Sequence, residues 1–135
     1  MFRFLRFVAC IAFAALTATS AYGDEGDFHS AVERAMAQHR IAMKVLETRS
    51  QAETAAEVHE LRAAWQAIGE RFAAERPAAF ADDPDYPGLF MQVDMSFVGL
   101  LLVIDLGNRD AAREALLSIG QTLARLSERS APAPR

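Results

Sequence analysis

After residue 27, apolar side chains return every three or four positions through nearly the whole chain, and that repeat points to helix. Phe28, Val32, Ala35, Met36, His39, Met43 and Leu46 fall on one stripe. Val58, Leu61, Trp65, Ile68 and Phe72 form a second, and Phe90, Val93, Asp94, Phe97, Leu101 and Ile104 a third. Ala112, Leu116, Ile119, Leu123 and Leu126 form a fourth. The period-two alternation of a half-buried strand is absent. Ala, Leu, Glu, Arg and Gln dominate, and these residues lose little freedom in a helix.

Local signals set the helix ends. Asp27 reads as the N-cap of a first helix over about 28–47, with Asp24 and Glu25 suiting the positive end of its dipole. Ser50-Gln51-Ala52-Glu53 is a capping box and opens a second helix. Only Thr48-Arg49-Ser50 links the two, so they form a hairpin. Pro77 ends the second helix. The segment 77–86 holds two prolines and three aspartates and reads as the one long connection, with Phe80 and Tyr86 capping an end of the core. A third helix starts near Pro87 and stops at Gly107, and Asn108 or Asp110 caps a fourth. Residues 130–135 read as a disordered tail. The expected fold is all-α: an antiparallel up-down-up-down four-helix bundle over residues 24–129.

The first 23 residues differ in kind. Arg3 and Arg6 precede an apolar run from Phe7 to Leu16, and small residues lead to Ala21-Tyr22-Gly23. A basic start, a short apolar stretch and a small-x-small end make a cleaved secretory signal peptide, so residues 1–23 read as a leader and the product as periplasmic or secreted. The run is short of the ~20 residues that span a bilayer. Cys10 sits too near the start of the run for a lipid-modified cysteine.

Cleavage removes the chain's only cysteine, so the exported domain has neither disulfides nor thiolate metal sites. Of the 14 basic residues two lie in the leader, so residues 24–135 carry 12 against 18 acidic ones, a net charge of −6. Such a surface repels nucleic acid and anionic lipid. The third helix is not expected to span a membrane, because Asp94 and Asp105 bracket its unbroken apolar stretch from Phe97 to Ile104. There is no Gly-rich phosphate loop and no nucleophile–base signature, so nothing argues for an enzyme.

Several residues do not suit a plain core. His39 lies within the first apolar stripe. It is either a core-edge histidine making one hydrogen bond, or a ligand to a metal or a non-covalent haem. Met36 and Met43 flank it, and thioethers with imidazole are soft ligands suited to Cu(I). Otherwise these methionines fill gaps in the core. Asp94 sits on the core stripe of the most apolar helix and needs a partner. A buried contact with His39 across the bundle axis is the sharpest expectation, with Arg40, Arg62 and Arg113 as competitors. Met91, Met95, Val98 and Leu102 form a second apolar edge on the third helix. They mark either its deeper burial or an interface for a homodimer or another periplasmic protein. His29 and His59 read as solvated and Trp65 as core.

The stretch Leu106-Gly-Asn-Arg-Asp-Ala-Ala-Arg-Glu-Ala-Leu-Leu-Ser-Ile-Gly-Gln-Thr-Leu123 resembles the Gly-Asp-x-x-Ala…Ile-Gly segment of the periplasmic cytochrome c′ group. With the leader and the helical pattern, the chain resembles cytochrome c′ and cytochrome b562-like four-helix bundles. Where that group carries Cys-x-x-Cys-His, this chain reads Ala124-Arg-Leu-Ser-Glu-Arg129, and its fourth helix has no histidine. The resemblance implies a relative without covalent haem and carries over no ligand residue. The sequence therefore reads as a non-catalytic ligand- or partner-binding module, with a soft-metal or haem site near His39 as the alternative.

Overall fold

The computed structural model describes residues 24–134 and contains four α-helices, with no strand among the described residues. The leader, and Cys10 within it, lie outside the described residues. The helices are α1 (Glu25–Thr48), α2 (Gln51–Phe72), α3 (Tyr86–Asp105) and α4 (Arg109–Ser130). A single 3-10 turn, Ala78–Phe80, interrupts the connection between α2 and α3.

The ends follow capping chemistry. α1 begins one turn earlier than the sequence suggests, because Asp24 and not Asp27 takes the cap and accepts from the N–H groups of Gly26 and Asp27. Ser50 caps α2 as the capping box requires: its hydroxyl accepts from the Glu53 N–H and meets the Glu53 carboxylate at 3.1 Å. Asn108 caps α4 through the Ala111 N–H. Gly107 ends the turn before it at φ +72°, where an L side chain is strained. α4 runs through Ser130, so that residue belongs to the helix and not to a disordered tail. It is buried, its hydroxyl donates to the Leu126 carbonyl, and it meets His29 Nδ1 at 3.1 Å. His29 is thereby half-buried and not simply solvated.

α1 packs on α2 and α4, and α3 packs on α2 and α4. Polar pairs mark which ends meet. Asp27 near the start of α1 binds Arg71 near the end of α2, and Glu47 near the end of α1 binds Arg113 near the start of α4. The Gln51 amide at the start of α2 donates to the carbonyls of Ile104 and Asp105 at the end of α3.

The core lies along all four apolar stripes and includes every residue of the second and fourth stripes. At one end it is aromatic. Phe28 meets Phe72 edge-on at 5.2 Å and Phe80 at 5.4 Å; Phe80 meets Tyr86, Tyr86 meets Phe90, and Phe90 stacks on Trp65. Phe80 and Tyr86 do close the core. The buried Tyr86 hydroxyl donates to the Phe72 carbonyl at 2.6 Å, and desolvation raises its pKa above the usual phenol range.

Arg129 ties the α2–α3 connection to α4 through the Asp83 carboxylate and the Ala79 carbonyl, with its guanidinium over the Phe80 ring. Arg129, followed by the Asp85 N–H, holds the Asp83 carboxyl below its ordinary range. A carboxylate pKa depressed in the fold adds stability above the unfolded value, and that stability is lost as pH falls through the folded one. Arg129→Gln should therefore flatten the acid limb of a urea-midpoint against pH profile below about pH 4. Gly107→Ala should cost about 1 kcal/mol in urea unfolding, through its left-handed backbone.

Candidate functional site

His39 leaves α1 toward α4. Its Nε2 lies 2.6 Å from the Leu116 carbonyl oxygen and donates to it. The imidazole can reach this carbonyl only because α4 has no side chain at Gly120. A Cβ there would lie 2.5 Å from the ring Cε1 and 2.6 Å from Nε2. By helical geometry the same carbonyl accepts from the Gly120 N–H, so one oxygen serves two donors. Met36, Arg40, Leu117, Gln121 and Ala124 complete an open groove of about 250 Å³ around the ring. Nδ1 has no hydrogen-bond partner among the described residues. Met43 packs against the core edge and does not line this groove.

Asp94 is not His39's partner. It accepts from Arg62 of α2, at 3.0 Å from Nε and 3.3 Å from Nη2. α3 packs on α2 and α4, and the long guanidinium stem on the neighbouring helix reaches the carboxylate. Asp94 stands on the α2-facing flank of α3 and His39 on the α4-facing flank of α1, so the expected pair across the axis does not form. With its groups 27% and 37% exposed, the Arg62–Asp94 pair contributes at most about 1 kcal/mol.

The outer face of α3 is the largest departure from an ordinary surface. Met91 is 75% exposed, Met95 63%, Val98 45% and Leu102 58%. These four are not buried, so this edge does not mark a deeper burial of α3. Leu106, absent from the sequence reading, extends the stripe at 71%. At about 100° per residue the five cover a band of about 80°, centred opposite the buried Val93. Gln92, Ser96 and Gly99 lie beside it, and a Cβ at Gly99 would touch nothing.

By length and composition α3 is apolar enough to cross a membrane, yet only 22% of its most apolar window is buried within the fold. Its interior face is spent on the core, and Asp94 on its flank is held by a second helix.

One further groove, of about 560 Å³, lies where the connection meets α3 and α4. Phe80, Tyr86, Gln92, Arg125 and Arg129 are among its walls. Sequence reasoning missed it. The only signal was the pair Arg125 and Arg129, one turn apart and facing the aspartates of the connection. Gly120 was likewise readable only as a weak helix former.

No group of three or more His, Cys, Asp or Glu side chains among the described residues is arranged to hold a metal ion. Taken together, the arrangement offers a seated imidazole beside a thioether-lined groove and a long uncharged surface. No family model matches the chain, and no characterised protein and no solved structure matches it.

Gly120→Ala should lower stability by about 1–3 kcal/mol by displacing His39 from its carbonyl, although Ala is the better helix former. In a double-mutant cycle followed by urea unfolding, adding His39→Ala should recover most of the loss.

Proposed function

We propose that this chain is an exported, antiparallel up-down-up-down four-helix bundle whose work is binding and not chemistry, with the outer face of α3 as its contact surface. The Asp27–Arg71, Glu47–Arg113 and Gln51–Ile104 contacts, each joining the start of one helix to the end of another, support the antiparallel arrangement. The basic-then-apolar leader and the resemblance of the fourth helix to periplasmic haem bundles support export.

One observation carries the binding role. Large apolar side chains stand 45–75% exposed in a continuous row on a domain that is otherwise heavily charged. Apolar side chains scattered singly need no explanation, but a row aligned along one helix exposes a contiguous patch to water.

A photo-crosslinking residue at Met95, in the chain expressed in its own cell, should give a discrete higher-mass adduct. The same residue at Glu60 on the exposed side of α2 should give none. No adduct from Met95 would refute the contact surface.

The His39 groove supports a second reading, a soft-metal site. A ligating imidazole commonly donates its other ring N–H to a carbonyl, as Nε2 does to Leu116, and Met36 supplies a thioether in the same groove. On this reading the protein takes up Cu(I) at one equivalent, and both His39→Ala and Met36→Leu lose it, measured by competition with a colorimetric chelator. Unchanged uptake in His39→Ala excludes the site. Non-covalent haem fits less well. The interior beside α4 is filled by packed rings and Leu residues, and the His39 groove opens between Arg40 and Gln121 at the surface.

A further inference from the structure

The partner for the outer face of α3 is open to a more specific reading, which rests on the proposal that this face is a contact surface. We infer that it pairs with the same face of a second copy of this chain, the two α3 helices running antiparallel about a two-fold axis near Val98.

The first ground is charge. Residues 24–135 carry a net charge of −6, so two copies repel over most of their surface. α3 carries two charged residues, Asp94, which Arg62 neutralises, and Asp105 at its last position. The row itself carries no charge, so two like-charged copies repel least where it faces its own copy. The same acidic surface works against an anionic bilayer as the occupant.

The second ground is spacing. Met91, Met95, Val98 and Leu102 follow intervals of four, three and four, the seam repeat of two packed helices, and Leu106 follows one turn on. Because the stripe is centred opposite the core, a partner helix can lie along it without disturbing the packing on α2 and α4.

Self-complementarity is the third. A two-fold axis near Val98 sets Met95 against Leu102 of the partner subunit and Met91 against Leu106 of the partner subunit. It sets Val98 beside Val98 of the partner subunit on one side of the axis, with open space over Gly99 on the other. Asp105 stands on the Asp94 flank of the row, at the rim of such a pairing and not in its seam. Antiparallel pairing also places each helix's positive end beside the partner's negative end.

Area is consistent with this. The five side chains expose the equivalent of about three complete large apolar residues per copy, and symmetry doubles it. A groove of about 410 Å³ between α2 and α3, walled by Ala52, Ala55, His59 and Leu101, lies alongside to receive the rim. An interface built this way has an apolar centre and a polar edge.

Light scattering on purified protein, over a dilution series of about a hundredfold, tests this. The expected result is the mass of two chains, with Met95→Glu weakening association about tenfold or more while far-ultraviolet circular dichroism keeps the wild-type helix signal. Met95→Glu combined with Leu102→Lys should recover dimer, because each glutamate would then face the partner's introduced lysine. In a Cys10→Ser background, Val98→Cys should crosslink to itself on oxidation, which keeps the test intact if a glutamate variant fails to fold.

A single-chain mass at all concentrations overturns the inference, as does a dimer that Met95→Glu leaves unchanged. If purified protein is monomeric while the Met95 crosslinker captures a different protein or a lipid, the second copy is wrong and the contact surface stands. No adduct and no dimer together would remove both.

Discussion

A run of aromatic rings at one end of the molecule holds the four helices to a single arrangement. Phe28 comes from α1, Phe72 and Trp65 from α2, Phe80 from the connection, and Tyr86 and Phe90 from α3, with neighbouring centroids 5.0–5.4 Å apart. Edge-on and offset contacts of this kind add to area burial, and each ring here touches the next, so the connection cannot shift without opening the row. The Tyr86 hydroxyl fixes the register by donating to the Phe72 carbonyl, the last residue of α2. Arg129 closes the assembly from α4 over Phe80. A chain whose described residues include no cysteine depends on such packing, and it explains why an Asp- and Pro-rich connection carries the buried Phe80 and leads into the buried Tyr86 at the start of α3.

The helices were legible in the sequence because their signals are local. The Ser50 capping box and the Gly107 stop act within one turn of the residues that carry them, and apolar periodicity identified the second and fourth core stripes completely. The His39–Asp94 pair failed because it needed two things that periodicity does not supply: the rotation of each helix about its axis and the reach of neighbouring side chains. Both residues lie on stripe flanks, and a flank residue meets the adjacent helix before it meets the diagonal one. Arg62 from α2 therefore takes Asp94, and the Leu116 carbonyl of α4 takes His39. Gly120 shows the same limit. A glycine in a helix reads as a weakness until the imidazole resting on its Cα is seen.

The second apolar edge of α3 was legible as a pattern but not as a surface. Met91, Met95, Val98 and Leu102 would look the same in sequence if a fifth element covered them. Exposure separates the cases, since the described residues provide nothing that lies over the row. Leu106 is the C-cap of α3, and only the structure shows its side chain standing exposed in line with the row.

Asp94 is the residue that decides what kind of environment α3 suits. A helix of this length and apolarity meets the compositional test for a bilayer, but a carboxylate at its middle costs about 2.5–3.5 kcal/mol at a bilayer centre. Here Asp94 lies between the two apolar faces, on the flank where α2 supplies Arg62, and Gln92 and Ser96 mark the opposite flank. Polar residues on both flanks divide the helix into an inner face packed on α2 and α4 and an outer face of Met, Val and Leu. That division is wasted in lipid, which wets a helix on every open side. On the binding role proposed above, it suits a helix held between two protein surfaces, where each flank sits at a rim and keeps contact with water. The pairing of Asp94 with its neighbour, instead of with a group across the axis, thus keeps its charge on the α2 flank, off both the core stripe and the outer row.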